Sequence, residues 1–186
     1  PLMVFGQHNL MNLNGARLVC KQLNISDADF YKAISTFKGA MNRLELIAEK
    51  DGFNAYRDFA HAPSKLKATI QAVKEQFPGR RLVACFELHT FSSLNKDFLD
   101  QYAHSMELAD VAVVFFSPHA LALKKLPMLS ADDIVHSFAK QGLLVFSDAD
   151  QFQQFLIGQS WHNSNLLLMS SGNFDGMNVK EFAGGL

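Results

Sequence analysis

The sequence predicts an α/β fold: a Rossmann-like, mostly parallel sheet flanked by helices. Three observations predict it. From about Arg80 onward, short runs rich in β-forming residues alternate with amphipathic stretches, the pattern of successive βαβ units. Those runs are apolar nearly throughout rather than at every second residue, as strands buried on both faces require. The chain has 186 residues, 48% hydrophobic and 19% charged, which suits one sizeable core and lies far from the composition of disordered segments.

The elements follow in order. Two helical patterns, over 12–23 and 27–37, succeed one another with no strand between them, so a separate helical layer leads the chain. Ser26 with Asp29 three residues on matches a capping box at the second helix. Residues 43–49 and 53–60 flank Lys50-Asp51-Gly52, a turn suited to a hairpin or two neighbouring strands. A helix over 63–77 opens on Pro63, where proline is tolerated. It carries Leu66, Ile70, Val73 and Phe77 on one face and stops at Pro78-Gly79. Strands are expected over 81–88, 110–117, 143–147 and 165–170, with helices over 95–108, 131–140 and 148–159; Asp148 is available as the last helix's N-cap. A further helix follows the final strand.

Composition narrows the function. Seventeen Lys and Arg balance eighteen Asp and Glu, so no charge excess points to a nucleic-acid backbone or an anionic membrane surface, and neither is expected as a partner. Cys20 and Cys85 lie far apart in apolar stretches and read as buried reduced thiols, which makes the cytoplasm the expected compartment. No stretch is apolar enough to span a bilayer, and the opening Pro1-Leu2-Met3-Val4-Phe5-Gly6 resembles neither a signal peptide nor a natural start; we expect a piece of a longer chain. The sequence holds no GxxxxGK[ST] phosphate loop, GxGxxG, HExxH, CxxC or GxSxG, and its seven histidines are scattered, so no metal site is expected. The many phenylalanines track apolar faces and are expected in the core.

Three polar clusters fall at element ends, where α/β proteins place binding groups. They are residues 6–14, with Gln7, His8, Asn9 and Asn12; Asn42-Arg43 together with 57–61; and 170–176, with Ser170-Ser171-Gly172-Asn173. Each also reads as a cap or a turn. In the second cluster a carboxylate (Asp58), an imidazole (His61) and the free N–H groups of a helix start converge, an arrangement suited to a ribose or a phosphate.

Taken together, Gly6-x-His8-Asn9-x-x-Asn12, Phe37-x-Gly39-x-x-x-Arg43-Leu44-Glu45 and Asp58-Phe59-Ala60-His61-x-Pro63 resemble the signature of the Mur ligase family, in order and at workable spacing. The likeness extends over nearly the whole chain, to the family's C-terminal domain. It implies that residues 1–37 are a helical segment from the end of the central ATPase domain and 38–186 the C-terminal domain. It further implies an ATP- and Mg2+-dependent ligase that activates the muramoyl carboxylate of UDP-N-acetylmuramate as an acyl-phosphate and joins it to an amine, working with its own N-terminal and central domains. Both ATP and Mg2+ would be held mainly by the central domain, and the isolated piece would be inactive. Within the family the segments resemble most the branch whose acceptor is the recycled tripeptide L-alanyl-γ-D-glutamyl-meso-diaminopimelate, with the L-alanine-adding branch as near neighbour.

Carried over by position, Asn9, Asn12, Asn42, Arg43 and Asp58 are the implied nucleotide contacts, with Arg43 and His61 the implied catalytic pair. Arginine forks onto phosphate oxygens, and a carboxylate accepts from ribose hydroxyls. Glu87, His89, Ser92 and Asn173 are the implied contacts of the incoming substrate. The chain departs from the family pattern at Arg57 and Ala62, where an acid and a second histidine are usual, and at His89, where an arginine is usual. A non-catalytic nucleotide-binding module and a plain interaction domain are the two competing readings.

Overall fold

The computed structural model describes residues 2–186. Along the chain run α1 (Gln7–Gln22), α2 (Asp27–Ile34), β1 (Glu45–Lys50), β2 (Phe53–Asp58), α3 (Pro63–Gln76), β3 (Arg81–Leu88), α4 (Lys96–Leu99), β4 (Val111–Phe116), α5 (Pro118–Leu123), α6 (Ala131–Phe138), β5 (Leu144–Phe146), α7 (Ala149–Ile157), β6 (Ser164–Met169) and α8 (Val179–Gly185). The six strands form one sheet in the order β1-β2-β6-β3-β4-β5. β1 pairs antiparallel with β2 across the tight Asp51-Gly52 turn, and every other pairing is parallel. The mostly parallel α/β sheet is thus the one the apolar runs predict.

Strand composition explains strand position. β3 and β6 are buried almost end to end, as central parallel strands covered on both faces should be, whereas β1, at the edge, buries only Ile47. One core lies between the sheet and α3, α4 and α6: Leu66, Ile70 and Val73 meet Leu82, Ala84 and Phe86, with Tyr102 stacked on Phe138 at 5.1 Å. The other lies under α7 and α8, where Val83 and Cys85 meet Phe152, Leu156 and Ala183, and the Phe152 and Phe174 rings stack at 5.3 Å. Each fully buried Leu, Ile, Val or Phe among these contributes about 1.5–3 kcal/mol.

This split has a topological cause. Going from β2 to β3, β4 and β5, the chain advances in one direction and lays its helices on one face. It then returns across the sheet to β6 through α7 on the opposite face. Neighbouring β3 and β6 therefore send their following segments to opposite faces, which opens a crevice at their C-terminal ends. That is where open α/β sheets bind ligands.

Several boundaries differ from the sequence expectation. The first helix begins at Gln7, five residues before the expected Asn12, because Gly6 (φ 89°) turns the chain into it and no buried face imposes a periodicity; α1 buries none of its residues. Cys20 accordingly sits half-exposed on α1, and only Cys85 is buried. The second helix stops at Ile34 rather than Phe37, and its Ser26–Asp29 pair makes only half of a capping box, Ser26 Oγ accepting from Asp29 N. The full box forms instead at Ser130–Asp133 of α6. β1 starts at Glu45 because Asn42 and Leu44 take left-handed φ values of 58° and 45°. The helix expected over 95–108 breaks into α4, a 3-10 turn and irregular turns, interrupted at His104 (φ 58°), and α5 was not foreseen. Not every phenylalanine is core: Phe37 and Phe91 are exposed.

Candidate functional site

β2 carries Asp58 to the C-terminal edge of the sheet and buries it, with 3% of the residue exposed. Its carboxylate accepts from Leu44 N at 2.8 Å, Ala60 N at 2.7 Å and Thr69 Oγ1 at 3.4 Å. Burial pushes the Asp58 carboxyl above its ordinary value, and the two backbone N–H donors and the nearby Arg43 oppose that. The same contacts pin the left-handed turn at 42–44, since Leu44 donates to Asp58 while Phe59 N donates to Asn42 O at 2.9 Å. Asn42 Oδ1 is buried with no hydrogen-bond partner among the described residues.

Above this turn lies the start of α1. Gly6 is required there twice over: its φ is left-handed, and a Cβ would stand 2.7 Å from Ala72 Cβ on α3. With Gly6 as N-cap, no side chain caps the helix. Asn9 instead donates through Nδ2 to Phe5 O at 2.9 Å, which leaves its Oδ1 free, and Asn12 makes no side-chain hydrogen bond among the described residues. His8 is held below its ordinary pKa first by burial and further by the charges of Lys65 and Arg43, with Asp58 acting against them.

Arg43 is exposed, takes part in no ion pair among the described residues and rests over the Phe59 ring at 5.7 Å. Two adjoining cavities open here. One, of about 390 Å³, is mostly apolar, lined by Val4, Leu13, Ile34, Phe37 and Ala40 together with Asn9, Asn12 and Arg43. The other, of about 200 Å³, is polar and lined by His8, Asn9, Asn12, Arg43, Asp58, Lys65 and Thr69. The fold thus brings Asn9, Asn12, Arg43 and Asp58 together, with Asn42 in the turn beside them. Sequence reasoning missed Lys65, Thr69 and the apolar wall. Lys65 and Thr69 stand four apart in α3, a helical spacing that places both on the face Asp58 meets.

His61 lies apart from these linings. Its Nδ1 donates to Phe59 O at 2.9 Å, and its own carbonyl accepts from Tyr102 Oη at 2.7 Å, so the β2–α3 loop is tied to the segment after α4. The cavities also contain none of Glu87, His89, Ser92 and Asn173. Glu87 is buried at the end of β3, where it accepts from Ser170 Oγ and, at 2.8 Å, from Phe174 N; its other oxygen lies 3.3 Å from His89 Nδ1. Those last two atoms face each other without the alignment of a hydrogen bond. Ser92 belongs to an exposed turn with Thr90, and Asn173 Oδ1 accepts from Gly176 N at 3.0 Å, a turn contact. Among the described residues no three His, Cys, Asp or Glu side chains converge as a metal cradle would need, and no helix is long and apolar enough to cross a membrane.

Two adjoining cavities, one apolar and one polar, flanked by the unpaired cations of Arg43 and Lys65, the free Oδ1 of Asn9 and the amide of Asn12, fit a planar base joined to a charged sugar-phosphate. Comparison with known proteins gives the chain's relatives. A family profile described as "Mur ligase, glutamate ligase domain" matches residues 42–172. The UDP-N-acetylmuramate–L-alanine ligase of Nostoc punctiforme is 34% identical over 141 residues, covering 75% of this chain and 29% of that protein. Among solved structures, the UDP-N-acetylmuramate–alanine ligase of Thermotoga maritima superposes with a TM-score of 0.73 at 20% identity, over 94% of this chain and 36% of the other. The murein peptide ligase of Psychrobacter arcticus gives 0.63 at 24% identity, over 97% and 38%. The chain spans from 24% to 37% of the length of curated relatives that it matches.

Proposed function

The chain belongs to the Mur ligase family, and on that premise we propose that residues 38–186 close the nucleotide site of an ATP-dependent ligase whose central ATPase domain ends in residues 1–37. The observation that carries the proposal is the convergence of Asn9, Asn12, Arg43 and Asp58 on the two adjoining cavities.

Each group has a task that its chemistry suits. The apolar cavity takes the faces of the adenine, and the free Oδ1 of Asn9 accepts from an amino group on its edge. Arg43 and Lys65 face the phosphates; a guanidinium keeps its charge and can fork onto two oxygens. Asp58 spends one oxygen on Ala60 and Thr69 and the other on Leu44, so a ribose hydroxyl would use a remaining lone pair. Magnesium has no matching donor set among the described residues and is assigned, with the phosphate loop, to the central domain. The reaction forms an amide between the muramoyl carboxylate of UDP-N-acetylmuramate and an incoming amine, through an acyl-phosphate, releasing ADP and phosphate. Closure of this domain keeps water from the acyl-phosphate.

Two acceptors compete. L-alanine is favoured by the curated relatives, which carry that activity in their names. The tripeptide L-alanyl-γ-D-glutamyl-meso-diaminopimelate is favoured by the Asp58-Phe59-Ala60-His61 segment and by Glu87 at the end of β3. The test is phosphate release from ATP by the full-length protein with UDP-N-acetylmuramate, offering each acceptor separately. Release with one of them identifies the acceptor. Release with neither, in a folded protein, would sink the proposal and favour a non-catalytic nucleotide-binding module.

A further inference from the structure

We propose that Arg57, on the face of the sheet opposite the nucleotide cavities, anchors a second binding site, one that takes a carboxylate group. This site lies outside the ligase reading above and does not depend on it.

Along β2, Phe53 and Ala55 face α7 and α8 while Tyr56 faces α3, so alternation puts Arg57 with the former and Asp58 with the latter. There Arg57 lines a cavity of about 100 Å³ with Leu168 of β6 and parts of the segment 170–179 that follows it. The guanidinium is half-buried and makes no ion pair or hydrogen bond among the described residues. Withdrawing a charge from water without a counter-charge is costly. Glu45 stands opposite Arg57 in the β1–β2 register, yet its carboxylate accepts from Asn42 N at 3.0 Å instead. No Asp, Glu or Lys lines the cavity.

A second observation gives the ligand its sign, because the polar lining has mainly donors left to offer. Ser170 is spent: it donates to Glu87, and its Oγ accepts from Gly172 N at 2.6 Å. Asn173 Oδ1 accepts from Gly176 N at 3.0 Å and Asn178 Oδ1 from Glu181 N at 3.4 Å, which fixes the oxygen end of both amides. Asn173 Nδ2 makes no hydrogen bond among the described residues, and Asn178 Nδ2 gives only one of its two N–H groups, to Glu181. A ligand here has to accept hydrogen bonds and carry negative charge. One guanidinium with no lysine beside it matches the single charge of a carboxylate, whose two oxygens fit the fork. A phosphate dianion would lack its second cation. The loop that walls the cavity is shaped from inside, with left-handed φ of 52°, 60° and 96° at Phe174, Asp175 and Gly176 and with Phe174 N held by Glu87 at 2.8 Å. The carboxylate comes from a free organic acid or from a substrate that carries one.

Titration of the full-length protein with sodium acetate at constant ionic strength tests this, read on the nitrogen-15 signals of the Arg57 Nε–H and the Asn173 side-chain amide. Both should shift saturably with a midpoint on the order of 1–10 mM, and chloride should not reproduce it. Arg57→Lys, which keeps the charge and loses the fork, should raise the midpoint about tenfold, and Arg57→Gln should abolish the response of Asn173. Arg43→Ala should leave the midpoint unchanged, and inorganic phosphate should bind no tighter than acetate. A linear response, an equal response to chloride, or equal loss in Arg43→Ala overturns the proposal; tighter binding of phosphate overturns the choice of carboxylate. Glu45→Gln keeps the question open to test if Arg57→Gln does not fold: the response should persist or strengthen, whereas one that appears only in this variant would make Arg57 merely the partner of Glu45. Repeating the titration with the enzyme's amine acceptor present separates the sources, since competition assigns the carboxylate to a substrate and its absence assigns a free acid. Failure of the ligase reading would leave the acetate response standing.

Discussion

Asp58 accepts from two backbone N–H groups and a hydroxyl inside the protein, so replacing it tests folding before it tests binding. Asp58→Ala leaves Leu44 N and Ala60 N without their acceptor and should cost about 2–4 kcal/mol, read as a lower denaturant midpoint at unchanged slope. The two titrating neighbours predict opposite pH responses. Burial raises the Asp58 carboxyl above 3.8, so the native state holds that proton more tightly than the unfolded chain, and this contribution to stability is lost as pH rises through the native value. Burial lowers His8 below 6.5, so its contribution is complete above that pH and is lost as pH falls through the native value. Melting curves between pH 7.5 and 5 should therefore show a shallower acid loss for His8→Gln than for the wild type; parallel curves would contradict it. At this scale the sequence was informative about residue type and order: Asn9, Asn12, Arg43 and Asp58 were identified by motif. It was silent about Lys65 and Thr69, which matter only because α3 docks where β2 ends. It also gave Glu87 a contact role, although the carboxylate is turned inward by Ser170 and Phe174.

Elements were legible where burial imposes a pattern and obscure where it does not. The parallel strands and α3 are near their expected places because two-sided or one-sided burial writes itself into composition. The start of α1 was missed because none of its residues is buried, and the break at His104 was missed because the apolar spacing continues through it. Gly6 is the joint that sets α1, and with it Asn9 and Asn12, over the site. Gly6→Ala should cost about 1–3 kcal/mol and should weaken nucleotide binding beyond what the loss of folded protein explains. Equal losses in the two would show that α1 does not set the site. Ser130→Ala, which removes the full capping box of α6, should cost about 1 kcal/mol without touching nucleotide affinity.

For the whole molecule, α1 and the residue that ends it expose large apolar side chains: Met11 and Leu23 are 67% and 68% exposed, with Leu18 and Val19 also open, on a chain that spans about a third of relatives such as the Nostoc protein. On the proposed function, the rest of the central domain covers this surface. Backbone amides of α1 and α2 should exchange more slowly in the full-length protein than in the isolated chain; equal rates would contradict the assignment. The isolated chain, without a phosphate loop, should show no ligation. The most direct test of nucleotide closure is Arg43→Ala in the full-length enzyme, comparing kcat/KM for ATP with Tm. Because the Arg43 side chain is exposed and, beyond its place over the Phe59 ring, makes no hydrogen bond or ion pair among the described residues, Tm should stay within about 1 °C, while kcat/KM should fall by about a hundredfold or more. An unchanged kcat/KM would remove Arg43 from the site, and with it the reading of these cavities as the place where the nucleotide is closed over.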